Sequence, residues 1–327
     1  MNLVFNKQIT ILRSEYYLSD YINKVGNFNS SAFSSTFNAE GYYDPMNFSA
    51  EDLSASLSFL NNRRAYKTTQ GDFHEWDFVV CLNTGFLSNN EPLPTNTELK
   101  LSFDRAPAYT AVLKMDSGAS DIDEPIIIKD VVATTEYISS PYWRDFFSSM
   151  DHTPQMFTYD DCEVMIKNIP NSETEIRFDN IRGGKTPNCM FFAIIPQSCL
   201  KGDVGLSSTY FEQNNVQEMN LTLNGNSVNG YPISVRKTSP IHPYIKLLDV
   251  TQRLHNVASG DFLNFIEFKY NWIWSHSFES ESTSQGWIGI NFKLTQAYST
   301  NMALICWVIA PSAVTIDQFG SVERLNL

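Results

Sequence analysis

Five histidines, two carboxylate pairs, five cysteines and one Gly-Lys-Thr triplet are the groups in this sequence whose types could support chemistry. A metalloprotease-type zinc site needs two imidazoles one helical turn apart with a carboxylate beside them. No pair among His74, His152, His242, His255 and His276 has that spacing, so each is expected at a surface or a turn. Asp121/Asp123 and Asp160/Asp161 could face a cation, but the further oxygen ligands of a calcium loop do not follow them. Both pairs are expected in solvated turns. Gly184-Lys185-Thr186 has the ending of a phosphate-binding loop. Asp179 stands where that loop needs its first glycine, and the preceding residues are polar.

Nucleophilic chemistry finds no better footing. No Gly-x-Ser-x-Gly elbow occurs, and the serines gather in loops such as residues 275–284. That segment reads either as an exposed contact loop or as a flexible tip between two strands. Cys81, Cys162, Cys189, Cys199 and Cys306 are odd in number and lack CxxC spacing, which suggests free thiols, mostly in sheets. Sequons at Asn29, Asn47 and Asn220 matter only in a secreted protein. The expectation is a non-enzyme: catalytic residues none, cofactor-binding residues none, metal ligands none, cofactors none. Tyr142, Trp143, Phe146, Trp272, Trp274 and Trp287 could stack sugars or could fill a β core; residue type alone does not separate the two.

The elements that would carry these groups are mainly strands. The chain has 327 residues, 43% hydrophobic and only 18% charged, with 23 Phe, 15 Tyr and 6 Trp. Such aromatic richness favours sheet over helix. A formal net charge of -13 argues against general affinity for nucleic acid backbones, which need Lys and Arg. No apolar run reaches the roughly 20 residues of a membrane helix, and residues 1–7 do not open as a signal peptide. A protein without export and without a membrane span is expected.

A helix is predicted from Leu18, Ile22 and Val25, capped by Ser14 and stopped by Gly26. Strands are predicted at residues 3–12, 78–82, 98–103, 111–115, 125–135, 163–169, 190–195, 219–223, 244–249, 264–274, 286–294 and 302–309. Short helices are predicted at 50–60 and 141–150, and a linker at 116–124. Residues 190–195 (MFFAII) are apolar throughout and close on Pro196, whereas 219–223 (MNLTL) alternate and end on Asn224-Gly225, a hairpin signal. Residues 302–309 are apolar on both faces, as in a strand between packed layers. Short strands at this density mean a sandwich or a barrel.

Pro187, the apolar strand at 191–195, Gly202, Asn214-Asn215, the strand at 221–223 ending in Asn224-Gly225, and Pro232 occur here in an ordered set. That set resembles the double jelly-roll major capsid proteins of polinton-type, adintovirus-like and virophage-related elements. Residues 1–24 are similar to a turn followed by a Tyr-rich helix (Tyr16, Tyr17, Tyr21) inside the family's first jelly roll, with Lys7 where the family has glycine. Residues 93–108 are similar to the strand that closes that jelly roll, and 317–322 to the family's C-terminal end.

The resemblance implies an all-β double jelly roll, two antiparallel β-sandwich domains side by side with a few short helices in loops. The units would be 1–124 and 125–327, the first lacking its initial strands, so that the chain as a free monomer is expected to be poorly stable. It implies a major capsid protein that self-associates as a homotrimer, builds a capsid lattice and meets penton or minor capsid proteins. No specific nucleic acid is implied, and the location is the virion, after synthesis in host cytoplasm or nucleus. A single jelly-roll minor or vertex capsid protein and a carbohydrate-binding attachment module are the alternatives.

Overall fold

The computed structural model describes residues 16–27, 67–70, 73–76, 85–88, 93, 130–132, 134 and 142 of the first half. Beyond these it describes 154–201, 211, 215–235, 240–254, 265–268, 272–279, 285–317 and 321–325. The strands expected at 3–12, 78–82, 98–103 and 111–115, the helix at 50–60, the linker at 116–124 and Cys81 lie outside the described residues. Of the strand expected at 125–135, Asp130, Val131, Val132 and Thr134 are described and carry no strand pairing. Asp130 takes a positive φ of 49°, which an extended strand does not accommodate. Of the helix expected at 141–150 only Tyr142 is described, and it is helical.

Helix α1 spans Tyr16–Asn27. Leu18, Tyr21, Ile22 and Val25, at i, i+3, i+4 and i+7, are all buried, so the helical spacing defines its packed stripe. A short hairpin pairs β1 (Lys67–Gln70) with β2 (Phe73–Trp76). A 3-10 turn at Gly85–Ser88 follows.

The remaining strands form two five-stranded antiparallel sheets. In chain order they are β3 (Gln155–Ile169), β4 (Glu175–Lys185), β5 (Cys189–Pro196), β6 (Val216–Leu223), β7 (Asn226–Ser227), β8 (Ile233–Ser234), β9 (Trp274–Ser277), β10 (Gln285–Leu294), β11 (Met302–Ile316) and β12 (Val322–Leu325). The first sheet runs β3, β11, β5, β9, with β12 continuing beside the far end of β11. The second runs β4, β10, β6, with β7 and β8 both pairing to β6. The chain crosses between sheets at six of the nine connections from β3 to β12, and its first and last long strands lie side by side. This strand order is that of a jelly roll, two interlocked Greek keys.

The two sheets differ in what covers them. In β6, Met219, Leu221 and Leu223 are buried while Glu218, Asn220 and Thr222 are partly open, the alternation of a sheet with one wet face. In β11 every residue from Met302 to Val308 is buried. Cross-strand register puts Cys306, Phe192 and Trp274 on one face, and the Trp274 ring meets Phe292 of the second sheet at 6.4 Å. The opposite face carries Trp307 and Phe191. It is sealed from outside by α1 and Phe211: ring contacts run Tyr21 to Phe211 at 5.7 Å and Phe211 to Trp307 at 5.6 Å. Removing each large apolar side chain from water in this way contributes about 1.5–3 kcal/mol.

A second, smaller core forms where β3 and β11 outrun β5. Phe157, Tyr159, Val314 and Ile316 pack there with Phe86, Leu93 and Val322. Phe86 lies edge-on to both Phe157 and Tyr159 at 5.9 Å.

Two sequence expectations are corrected. Residues 244–249 are not a strand but part of helix α3, Ile241–Val250, the second helix of this half after α2 (Gln197–Lys201). Pro240 starts α3 and Pro243 sits in its first turn, where no backbone N–H is needed. Within the strand expected at 264–274, Phe265–Phe268 is one turn of helix, α4, and among the described residues strand pairing starts at Trp274. Tyr244 joins α3 to α4 through rings 5.3 Å from Phe265 and 5.2 Å from Phe268, a contact that rewards helix over strand in both segments.

Candidate functional site

Among the described residues the chemistry-bearing groups do not converge. Among the described residues no group of three His, Cys, Asp or Glu could hold a metal ion. His276 is not at a surface: it lies on β9, buried, with its ring 5.4 Å from Tyr231 and 4.7 Å from Phe278. His242 is exposed on α3, His74 lies on β2, and His152 and His255 lie outside the described residues. Asp160 and Asp161 are on strand β3 rather than in a turn, because each faces a partner across the sheet. Asp160 accepts from the Asn188 side chain at 3.1 Å and Asp161 pairs with Arg324 at 2.8 Å. Asp121 and Asp123 lie outside the described residues. Gly184 and Lys185 end β4, a paired strand rather than a phosphate cradle.

The described cysteines, Cys162, Cys189, Cys199 and Cys306, are free thiols, three of them on strands. Burial pushes the Cys189 thiol up to about 12, with Asp160, Cys162 and Glu279 adding to the effect. Burial also raises Cys306, so neither supplies a thiolate nucleophile at neutral pH. Ser275 and His276 belong to β9, which shortens the excursion expected at 275–284; residues 280–284 lie outside the described residues.

The aromatic set divides. Trp272 and Trp274 are core, 6.3 Å apart, and Trp274 is fully buried, so it is excluded from any sugar contact. Tyr142 is exposed, and Trp143 and Phe146 lie outside the described residues. Trp287 alone of the three described tryptophans named is open, at 49% exposure, on the wet face of the second sheet.

Two features of the surroundings give Trp287 its setting. Its partner across the β4–β10 ladder is Gly183, followed by Gly184 opposite Gly286, so no side chain rises beside the indole on that flank. On the other flank the Asn224-Gly225 turn, with φ of 54° and 80°, folds β6 back into β7 as the hairpin signal predicts. Asn224 extends the ladder by one position. Its N–H donates to the Trp287 carbonyl at 2.9 Å, and its Oδ1 accepts from the Trp287 N–H at 3.0 Å. A Cβ at Gly286 would collide with the Asn224 side chain, which is why this approach requires glycine. A bulge sets Asp179, Asn180 and Ile181 opposite Gly289 alone, where a Cβ would meet Thr222 Oγ1 at 2.7 Å and the Asp179 carbonyl at 2.9 Å. The result is a shallow open concavity walled by Asn180, Asn224, Gln285 and Trp287 over a glycine floor.

The other built feature is the seam between α1 and the jelly roll. The Trp307 indole N–H donates to the Leu18 carbonyl at 2.8 Å, and Arg253 donates to the Gly26 carbonyl at 3.1 Å, capping the helix C-terminus with a cation. Asp20 and Lys24 form an ion pair of 2.6 Å one turn apart, each only 4–5% exposed.

Among the described residues no helix is long and apolar enough to cross a membrane. No family model matches the sequence, and no curated protein matches it. Among solved structures the chain is similar to a chain of the Sputnik virophage cryo-EM structure, with 10% identity and a TM-score of 0.35 over 53% of this chain and 39% of that one. A chain of the PBCV-1 virus capsid is similar with 10% identity and a TM-score of 0.36, over 57% and 55%. The mavirus major capsid protein is similar with 6% identity and a TM-score of 0.31, over 54% and 42%. The match therefore spans between about two fifths and just over half of those chains.

Proposed function

We propose that this chain is a structural subunit of a viral shell, a major capsid protein without catalytic activity. The observation that carries this reading is the way a jelly roll built from residues 155–316 is flanked by apolar contacts from earlier in the chain. Leu18, Tyr21, Ile22 and Val25 belong to its main core, and Phe86 and Leu93 to its second. A sandwich whose first sheet is apolar on both faces is made to stand against another body, and the N-terminal half supplies it. We take the chain as units of 1–124 and 125–327 side by side, with the ordered features from Pro187 to Pro232 supporting the capsid assignment.

In this reading three chains associate head to tail about a threefold axis into a capsomer of pseudo-hexagonal outline, and capsomers tile the shell. Penton or minor capsid proteins are the further partners, the mature location is the virion, and the net charge of -13 leaves genome binding to other components. Light scattering on the full chain eluting from a sizing column tests it: a trimer mass, with pseudo-hexagonal particles in negative stain, is expected. A persistent monomer counts against it, and a pentamer points instead to a vertex protein with a single jelly roll.

A further inference from the structure

The geometry points to a binding site for neutral carbohydrate on the wet face of the second sheet, with Trp287 as its platform. Fold alone carries no such function; the argument rests on the chemistry of the concavity. Trp287 is half exposed although its neighbours along β10, Ile288 and Ile290, are buried. An indole left open beside glycines at 183, 184 and 286 offers a flat apolar surface on which the C–H face of a pyranose can lie. A side chain at Gly183, the cross-strand partner of Trp287, would rise on the indole's own face of the sheet, and one at Gly286 would displace the Asn224 carboxamide.

The polar groups around the ring are carboxamides: Asn180, Asn224 and Gln285. Each carries both donor and acceptor atoms on one planar group, which matches adjacent hydroxyls that donate and accept in turn. None of the lining residues bears a charge. Phosphate or carboxylate ligands would find no cation in the wall, and the net charge of -13 disfavours anionic glycans further. The Asn180 side chain is positioned by the bulge in β4, and that of Asn224 by its bonds to the Trp287 and Gln285 backbone. The site is thus fixed by the ladder and by a hairpin turn bonded to it, which favours a preformed contact.

The test is a printed array of neutral and sialylated oligosaccharides probed with the full-length chain, in whatever oligomeric state it adopts. Binding to neutral hexose-containing glycans is expected. It should weaken at least tenfold in Trp287→Ala and in Gly286→Ala, and persist within a few-fold in Trp287→Tyr, with each variant's fold checked by circular dichroism. Absence of binding, binding confined to sialylated glycans, or binding indifferent to Trp287→Ala would overturn the proposal. None of these outcomes depends on whether the chain is a trimer, so the shell reading stands or falls separately.

Discussion

The indole of Trp307 and the backbone carbonyl of Leu18, 289 residues apart in sequence, share a buried hydrogen bond of 2.8 Å. It joins the central strand of the first sheet to the helix that covers it. Trp307→Phe keeps most of the packing but loses the indole hydrogen bond, while the Leu18 carbonyl keeps its place in the helical ladder, so the cost is about 0.5–1.5 kcal/mol. Trp307→Ala adds the loss of a large core side chain and costs about 3–5 kcal/mol. Urea denaturation measures both, and hydrogen exchange across residues 16–27 should accelerate in each variant. An unchanged exchange rate in α1 would show that the helix is held by other contacts.

The ion pair of Asp20 and Lys24 predicts an asymmetric mutant cycle. Lys24→Met alone removes the ion-pair partner of a buried carboxylate and should cost about 3–5 kcal/mol. The pair Asp20→Leu with Lys24→Met removes both charges together and should regain most of that loss. Additive losses in denaturant melts would contradict the coupling.

Burial of Cys189, Cys306 and Tyr231 in neutral form makes stability depend on pH on the alkaline side. In the unfolded chain the thiols ionise around their ordinary value of 9.0, while folding holds Cys189 at about 12. The unfolded state is therefore the one favoured by ionisation as pH rises. Stability should be full below pH 9 and decline progressively from there toward about 12, where Cys189 itself ionises. Melts from pH 7 to 11 check this. Iodoacetamide should modify these thiols slowly at pH 8 in native protein and readily in guanidinium.

At the hairpin, Gly225 has φ of 80°. Gly225→Val forces a β-branched residue into left-handed geometry and should cost about 1–2 kcal/mol. Asn224→Ala should cost a similar amount, since it loses a tolerant residue at φ 54° and the acceptor for the Trp287 N–H. Thermal melts compare the two, and a neutral Gly225→Val would refute the turn geometry.

Much of the sandwich was legible because burial leaves a period in the residues. The uninterrupted apolar run of β5 and the two apolar faces of β11 announce strands covered on both sides, and the alternation of β6 announces one wet face. Asn224-Gly225 announced its turn. Residues 241–250 were harder, because Tyr, Ile and Leu at 244, 245, 247 and 248 satisfy a strand as readily as a helix, and only the contact of Tyr244 with α4 decides. The first half of β3 was hidden by Asp160 and Asp161, whose partners Asn188 and Arg324 are remote in sequence. The difference between Trp274 and Trp287 was invisible for the same reason: one lies against Phe292, the other opposite Gly183. The nearest local signal was the Gly183-Gly184 pair inside an otherwise bulky strand.

The seal over the first sheet sets an order of events during synthesis. Helix α1 is translated long before β11, so the Trp307 bond and the part of the sheet that β11 supplies reach its stripe of Leu18, Tyr21, Ile22 and Val25 only late in synthesis. The earlier segment completes its packing only when the later strand arrives. Until β11 arrives the helix's apolar face is only partly covered by sheet, so production of this protein in quantity places a demand on chaperones that hold emerging helices apart.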